Sequence, residues 1–179
     1  LRIEFSPLDF IQVNHEMNLK MLQQAIDWLQ PGSDDTVLDL FCGLGNFSLP
    51  LARVTKQVTG IEGELLSVQG ARANAALNNI ENAEFFVADL FTSELQEPWM
   101  KQAYDIVLID PPRAGAAEII PTLKRIGAAK ILYVSCHPGT LARDSQTLVE
   151  ELGYKLAQAG VIDMFPQTGH VESMALFVK

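Results

Sequence analysis

Five short apolar runs rich in β-formers, separated by segments with helical spacing, confine this chain to a narrow set of folds. The runs are TVLDLF (36–41), QVTGIE (57–62), AEFFVAD (83–89), YDIVLID (104–110) and KILYVSC (130–136). Among them lie GELLSVQGARANAALNN (63–79), AAEIIPTLKRIG (116–127) and PGTLARDSQTLVEELG (138–153), each with helical spacing and the last closed by Gly153 as a helix stop. This order predicts parallel strands joined by crossover helices, an α/β doubly wound sheet covered on both faces. The tail YKLAQAGVIDMFPQTGHVESMALFVK reads as two strands with no helix between them, so an antiparallel hairpin is expected to finish the sheet. Ahead of the first run, NHEMNLKMLQQAIDWLQPG predicts an amphipathic helix with Met17, Leu22, Ile26 and Leu29 available for burial. Residues 1–35 are accordingly read as a helical extension of a single domain spanning 1–179.

With 179 residues and 48% hydrophobic content, the chain can fill one core and is too short for two ordinary domains. No apolar stretch reaches the roughly 20 residues that cross a bilayer, and LRIEFSPLDF lacks a secretory pattern. A soluble, cytoplasmic, monomeric protein without membrane contact is expected. Two cysteines, Cys42 and Cys136, are too few for a disulfide framework and suit a reducing compartment, and no metal site is expected in this chain. With Leu1 rather than Met at its start, the chain is expected to be a piece of something longer.

Net charge is −9, which argues at first against a polyanionic partner. The charge is uneven: residues 1–110 hold 6 basic and 16 acidic side chains, residues 111–179 hold 7 and 6. The carboxyl-terminal part tolerates RNA without forming a strong basic patch.

In doubly wound sheets ligands lie outside the carboxyl ends of the strands, and the informative residues fall there. VLDLFCGLGNFSLPLA puts Gly43 and Gly45 where a strand turns into a helix, so backbone can approach a ligand with no Cβ in the way. Ser48 replaces the third glycine of a dinucleotide fingerprint, which favours a pocket for one nucleoside over a pyrophosphate cradle. Glu62 ends the next run, where a carboxylate can accept from both ribose hydroxyls. Asp89 holds the matching position one strand later, facing an adenine edge or capping a helix. Up to this point the motif order resembles the class I methyltransferase fold, which implies S-adenosyl-L-methionine as cofactor.

Two further segments carry chemistry. In IDPPRAG the prolines stiffen the loop that presents Asp110, and Arg113 stands where methyltransferases acting on exocyclic amines carry an aromatic residue. Cys136 ends a strand just before Pro138, at the start of a helix whose dipole is expected to lower the thiol pKa. Cys42 is read as a small buried apolar residue. Glu172 opens the otherwise apolar VESMALFV, where partial desolvation raises a carboxyl pKa toward neutrality and suits a general base. A thiol and a base together fit methylation of a pyrimidine carbon: addition at carbon 6 makes carbon 5 nucleophilic, and the carbon 5 proton must then be removed before the sulfur leaves.

FSPLDFIQVN, LDLFCGLGNF, DPPRAG, YVSC followed by TLARD, and DMFPQTGHVESM together resemble the RNA uracil-C5 methyltransferase family, most closely the catalytic part of its bacterial 23S ribosomal RNA branch. The resemblance implies Cys136 as nucleophile, Glu172 as base, and Gln12, Phe41, Asn46, Glu62, Asp89 and Asp110 lining the cofactor and target pocket. Gln12, Asp110 and Arg113 are the candidates for contacts to the target. His137 departs from the family's usual Asn and is read as an outward turn residue. The resemblance also implies an amino-terminal OB-like RNA-binding domain, and in ribosomal enzymes a four-cysteine iron–sulfur site; neither is in this chain. Phosphate contacts from such a missing part would explain the acidic balance of this chain. Transfer RNA uridine methylation, RNA cytosine-C5 methylation, a noncatalytic RNA-binding module and an NAD-dependent oxidoreductase remain as alternatives.

Overall fold

The computed structural model describes residues 1–92, 97–164 and 166–179. Phe165, within the DMFPQTGHVESM segment, lies outside them. Strands β1 (Thr36–Leu40), β2 (Gln57–Glu62), β3 (Ala83–Val87), β4 (Ile106–Ile109) and β5 (Lys130–Ser135) pair in parallel. Strand β7 (Glu172–Val178) inserts antiparallel between β5 and β6 (Lys155–Ile162), giving the order β3-β2-β1-β4-β5-β7-β6. The hairpin therefore ends the sheet as expected, with its second strand on the inside. Strand order reverses between β1 and β4, the switch point beyond whose carboxyl strand ends ligands bind in sheets of this kind.

Period-two alternation divides the strands between two cores. Val37, Val58, Ile106, Leu108, Leu132, Val134, Met174 and Leu176 pack on one face, while Leu38, Leu40, Val107, Ile109, Ile131, Tyr133 and Phe177 pack on the other. Helix α1 (His15–Leu29) starts where the Asn14 side chain accepts from the Met17 amide, and ends at Gln30 in the left-handed region. It buries Met21, Ala25 and Leu29; Met17, Leu22 and Ile26 lie against the same core half-covered. The extension is helical only over these residues. Upstream, the chain lies along α3 (Leu65–Leu77), where Asn74 and Asn78 pair with the backbone of Glu4 and Arg2 at 2.6–3.1 Å. Two side-chain amides one helical turn apart thus do the work of a neighbouring strand.

The helix expected over 116–127 is instead a 3₁₀ turn, Ile120–Thr122, followed by α4 (Leu123–Ile126). Pro121 explains the break: it has no N–H to donate and its ring opposes the preceding turn. The short α2 (Ser48–Ala52) follows β1, and α5 (Pro138–Gln146) follows β5 and runs into a π-turn, Thr147–Glu151, ahead of Gly153 at φ +77°. Among the described residues no helix is long and apolar enough to cross a membrane.

Candidate active site

The turn after β1 is drawn tight by its backbone. Phe41 adopts φ +64°, rare for a residue with a side chain, and Gly43 and Gly45 follow at +53° and +91°. The Cys42 amide donates to Ile61 O at 3.0 Å and the Gly45 amide to Cys42 O at 2.9 Å, docking the loop on β2. A Cβ on Gly43 would meet nothing within 4 Å, so this position faces open space. Glu62 accepts from the Gly43 amide at 3.1 Å and from Glu64 N at 3.1 Å, so the same carboxylate that ends β2 also anchors the glycine turn. Asn46 is tied reciprocally to Asn18 of α1, with amide contacts of 2.9 and 3.0 Å. Asp89 accepts from Phe91 N at 2.9 Å in a local turn, and Phe91 brings its ring to 5.6 Å from that of Phe41. Gln12 lies between the Ser6–Asp9 turn and the α1 cap, half-buried, with its Oε1 buried and unpartnered among the described residues.

The structure brings Cys136 and Glu172 together. Ser135 of β5 pairs with Ser173 of β7, so Cys136 and Glu172 face one another one step past the last paired residues. Because β7 runs against β5, its amino end reaches the same sheet edge as the carboxyl ends of the other strands. Asp110 leaves β4 beside them, its amide donating to Leu40 O at 3.3 Å. Arg113 sits on the exposed turn that Gly115 N closes onto Pro112 O at 2.8 Å. Phe41, Gly43, Gly45, Asn46, Glu62, Asp89, Asp110 and Cys136 therefore share one edge with Glu172.

Electrostatics at this edge are set by burial of acids. Glu172, 4% exposed, is raised to about 7 by desolvation, in keeping with the expectation for a base. Asp110 is raised to about 8, first by burial and then by the charges of Glu172 and Asp39. Asp39, which sequence reading passed over, is raised to about 7 by burial; it accepts from the Ser48 hydroxyl and leaves Oδ1 without a partner among the described residues. A lone acid inside TVLDLF was the available signal. Asn18 and Phe91 were also missed, and neither position carried a pattern that singles it out.

The Cys136 expectation is corrected. Its thiol is raised above the ordinary value, by desolvation and then by Glu172 and Asp110, and Arg113 offsets only part of this. The helix dipole does not rescue it, because the first turn of α5 is capped from within. His137 Nδ1 accepts from Thr140 N at 3.2 Å, Ser135 Oγ takes the His137 amide at 3.1 Å, and Pro138 has no N–H. His137 is accordingly a half-buried N-cap rather than an outward turn residue.

Asp39, Asp110 and Glu172 each hold a proton more tightly folded than unfolded, where carboxyls titrate near about 4. The folded state then carries the excess protons, so the contribution of this trio to stability falls as pH rises from about 4 through about 7 to 8. Asp39→Asn is expected to shrink the drop in melting temperature between pH 5 and pH 8; an unchanged drop would remove Asp39 from this account.

The family model described as tRNA (Uracil-5-)-methyltransferase matches residues 2–179. The 23S rRNA (uracil(1939)-C(5))-methyltransferase RlmD of Stenotrophomonas maltophilia is 54% identical over all of this chain and 40% of its own length. RlmD of Photobacterium angustum is also 54% identical, with 81% of its length covered. Pyrococcus abyssi tRNA (uracil-54, C5)-methyltransferase, solved with S-adenosyl-L-homocysteine, superposes with a TM-score of 0.82 at 32% identity over 98% of this chain and 42% of that one. A magnesium protoporphyrin IX methyltransferase from Synechocystis shares the fold at a TM-score of 0.71 and 19% identity, covering 98% of this chain and 90% of that one. The chain spans about 40% of the length of most of the RlmD relatives it matches. With the class I methyltransferase architecture and a family match that runs from residue 2 to the last, the chain belongs to the tRNA (uracil-5-)-methyltransferase family.

Proposed function

We propose that this chain is the catalytic part of a cytoplasmic, S-adenosyl-L-methionine-dependent enzyme that methylates carbon 5 of a uridine in 23S ribosomal RNA, the one equivalent to position 1939, through a covalent Cys136 adduct. The observation that carries the reading is the pairing of a thiol and a buried base at facing ends of β5 and β7. Identity of 54% to RlmD enzymes, against 32% to the archaeal transfer RNA enzyme, favours the ribosomal substrate. The acidic balance supports a reading in which most phosphate contacts come from the rest of the complete protein, an OB-like domain in this proposal.

The residues fit the cofactor. Glu62 is a carboxylate at the end of β2 for ribose hydroxyls, Gly43 faces open space, and the Phe41 and Phe91 rings, 5.6 Å apart, offer an aromatic surface for an adenine. Gln12 Oε1, buried and without a partner among the described residues, suits the cofactor's ammonium. Asn46 holds this turn to α1. When bound there, S-adenosyl-L-methionine supplies an electrophilic methyl group. Phe91→Ala is expected to weaken S-adenosyl-L-homocysteine binding roughly tenfold, the scale of one aromatic stacking partner. Calorimetric titration checks this, and unchanged affinity would take Phe91 out of the pocket.

The chain's own residues run the uracil chemistry. Cys136, once deprotonated, forms a bond to carbon 6, and the ring π electrons move onto the carbonyl to give an enolate nucleophilic at carbon 5. After carbon 5 is methylated, Glu172 takes its proton, the carbon 5–carbon 6 double bond re-forms and Cys136 leaves as thiolate. Asp110, protonated at neutral pH, can donate to a uracil carbonyl, while Gln12 meets the ring edge through its amide. Uracil presents acceptors where cytosine presents an amino donor, so a donating Asp110 favours uracil. The test is incubation of the complete protein with methyl-labelled S-adenosyl-L-methionine and unmodified 23S transcript, followed by nucleoside mass mapping. Labelled 5-methyluridine at the 1939 equivalent is expected. Label in 5-methylcytidine, or in transfer RNA alone, would overturn it.

A further inference from the structure

TLARD belongs to the segments that mark the family, yet none of the chemistry above uses its Arg143 or Asp144. Asp144 is 2% exposed and fully engaged. Its Oδ2 accepts from Tyr133 Oη at 2.6 Å and from Ala116 N at 2.7 Å, and its Oδ1 accepts from Arg143 Nε at 2.8 Å. Arg143 reaches onward to donate to Ala114 O at 2.9 Å. Three elements thus meet at one carboxylate: β5, α5 and the DPPRAG loop.

We propose that Asp144 is a positioning residue: with Arg143 it clamps the Pro112–Gly115 turn from both sides, and so holds Arg113 against a phosphate of the target nucleotide beside Cys136. This rests on the uridine reading above. Ala114 O and Ala116 N are both engaged, and Gly115 between them is held at φ +84°. A Cβ there would stand 2.7 Å from Asp144 Oδ2 and 3.1 Å from Thr140 Cβ, and against the Arg143 guanidinium as well, so the clamp has closed onto backbone with no room left. Pro111 and Pro112 fix the other side of the turn. Arg113 then projects from an anchored Cα, close enough for its charge to act on the Cys136 thiol. An ion pair whose arginine is half exposed contributes little net stability, and what this one supplies is the geometry of the turn.

The experiment is a double-mutant cycle in the complete protein, reading single-turnover adduct formation on 5-fluorouridine RNA together with amide exchange at Gly115 and Ala116. Asp144→Asn is expected to slow adduct formation on the order of 10²-fold when Arg113 is present, as misplacement of a binding group does. In an Arg113→Ala background the same change should cost no more than about twofold, while exchange at Ala116 accelerates in both. Equal losses in the two backgrounds, or unaltered exchange at Ala116, would overturn the clamp. Should Asp144→Asn fail to fold, Tyr133→Phe and Arg143→Lys carry the same cycle, because the first removes the hydroxyl donor and the second the fork that spans Asp144 and Ala114 O, and neither bares the carboxylate. A wild-type protein that forms no adduct sinks the uridine reading instead, and the exchange comparison at Ala116 still decides the clamp.

Discussion

Cys136→Ala abolishes covalent capture of RNA carrying 5-fluorouridine at the target and lowers methyl transfer by on the order of 10⁴-fold or more, the scale seen when an enzyme loses its nucleophile. Fluorine at carbon 5 cannot leave as a proton, so an enzyme that adds sulfur to carbon 6 stalls as a protein–RNA adduct that survives denaturation. Cys42 is no substitute: it is 5% exposed, packed against β2, and its thiol is pushed well above the ordinary range by burial and by Asp39 and Glu62. Cys42→Ala should therefore leave adduct formation intact, and the pair separates loss of the nucleophile from general loss of thiol. An adduct formed by Cys136→Ala at the wild-type rate would remove sulfur addition at this residue from the mechanism.

The raised Cys136 thiol shapes the pH dependence of that first step. Because Glu172 and Asp110 disfavour the thiolate, adduct formation should keep climbing past the ordinary cysteine value of about 8.5 in the free enzyme. The Arg113 charge lowers this thiol's value, and its removal should move the adduct-forming limb to higher pH still.

The legible part of this site was its address. Strand ends and glycines are written locally, so TVLDLF, QVTGIE, YDIVLID and KILYVSC announced their edge, and the parallel sheet then collected Glu62, Asp110 and Cys136 on that one edge. Glu172 was legible because one acid in an apolar strand is costly unless it has a task. The thiol pKa was not, since it depends on which donors cap α5 and which acids lie across the sheet, and both are tertiary facts. His137 illustrates the first: its ring supplies the cap that a dipole argument assumed to be vacant. Asn18, Phe91 and Asp144 were hidden for the same reason, because each acts through partners at least 11 residues away or through a ring it meets only after folding. The broken 116–127 helix was legible in principle, since Pro121 sits inside an otherwise helical repeat.

Glu172→Gln separates the two halves of the cycle. Glutamine keeps the shape and loses the base, so sulfur addition and methylation proceed while removal of the carbon 5 proton does not. Turnover is expected to fall about 10²- to 10⁴-fold, the usual worth of a general base. With ordinary uridine RNA the variant should accumulate a covalent complex that retains label from methyl-labelled S-adenosyl-L-methionine, whereas the wild type releases product and shows little. On 5-fluorouridine RNA both proteins should be trapped alike, because no proton is there to take. The pH profile of release supplies the second test. Glu172 acts as carboxylate, and with burial holding it at about 7 the release rate should rise through that value and level above it. A variant that loses adduct formation and turnover in equal measure would mean that Glu172 acts before the methyl arrives, as the acceptor of the Cys136 proton. The facing positions on β5 and β7 allow that transfer too, which is why trapping rather than turnover has to decide between them.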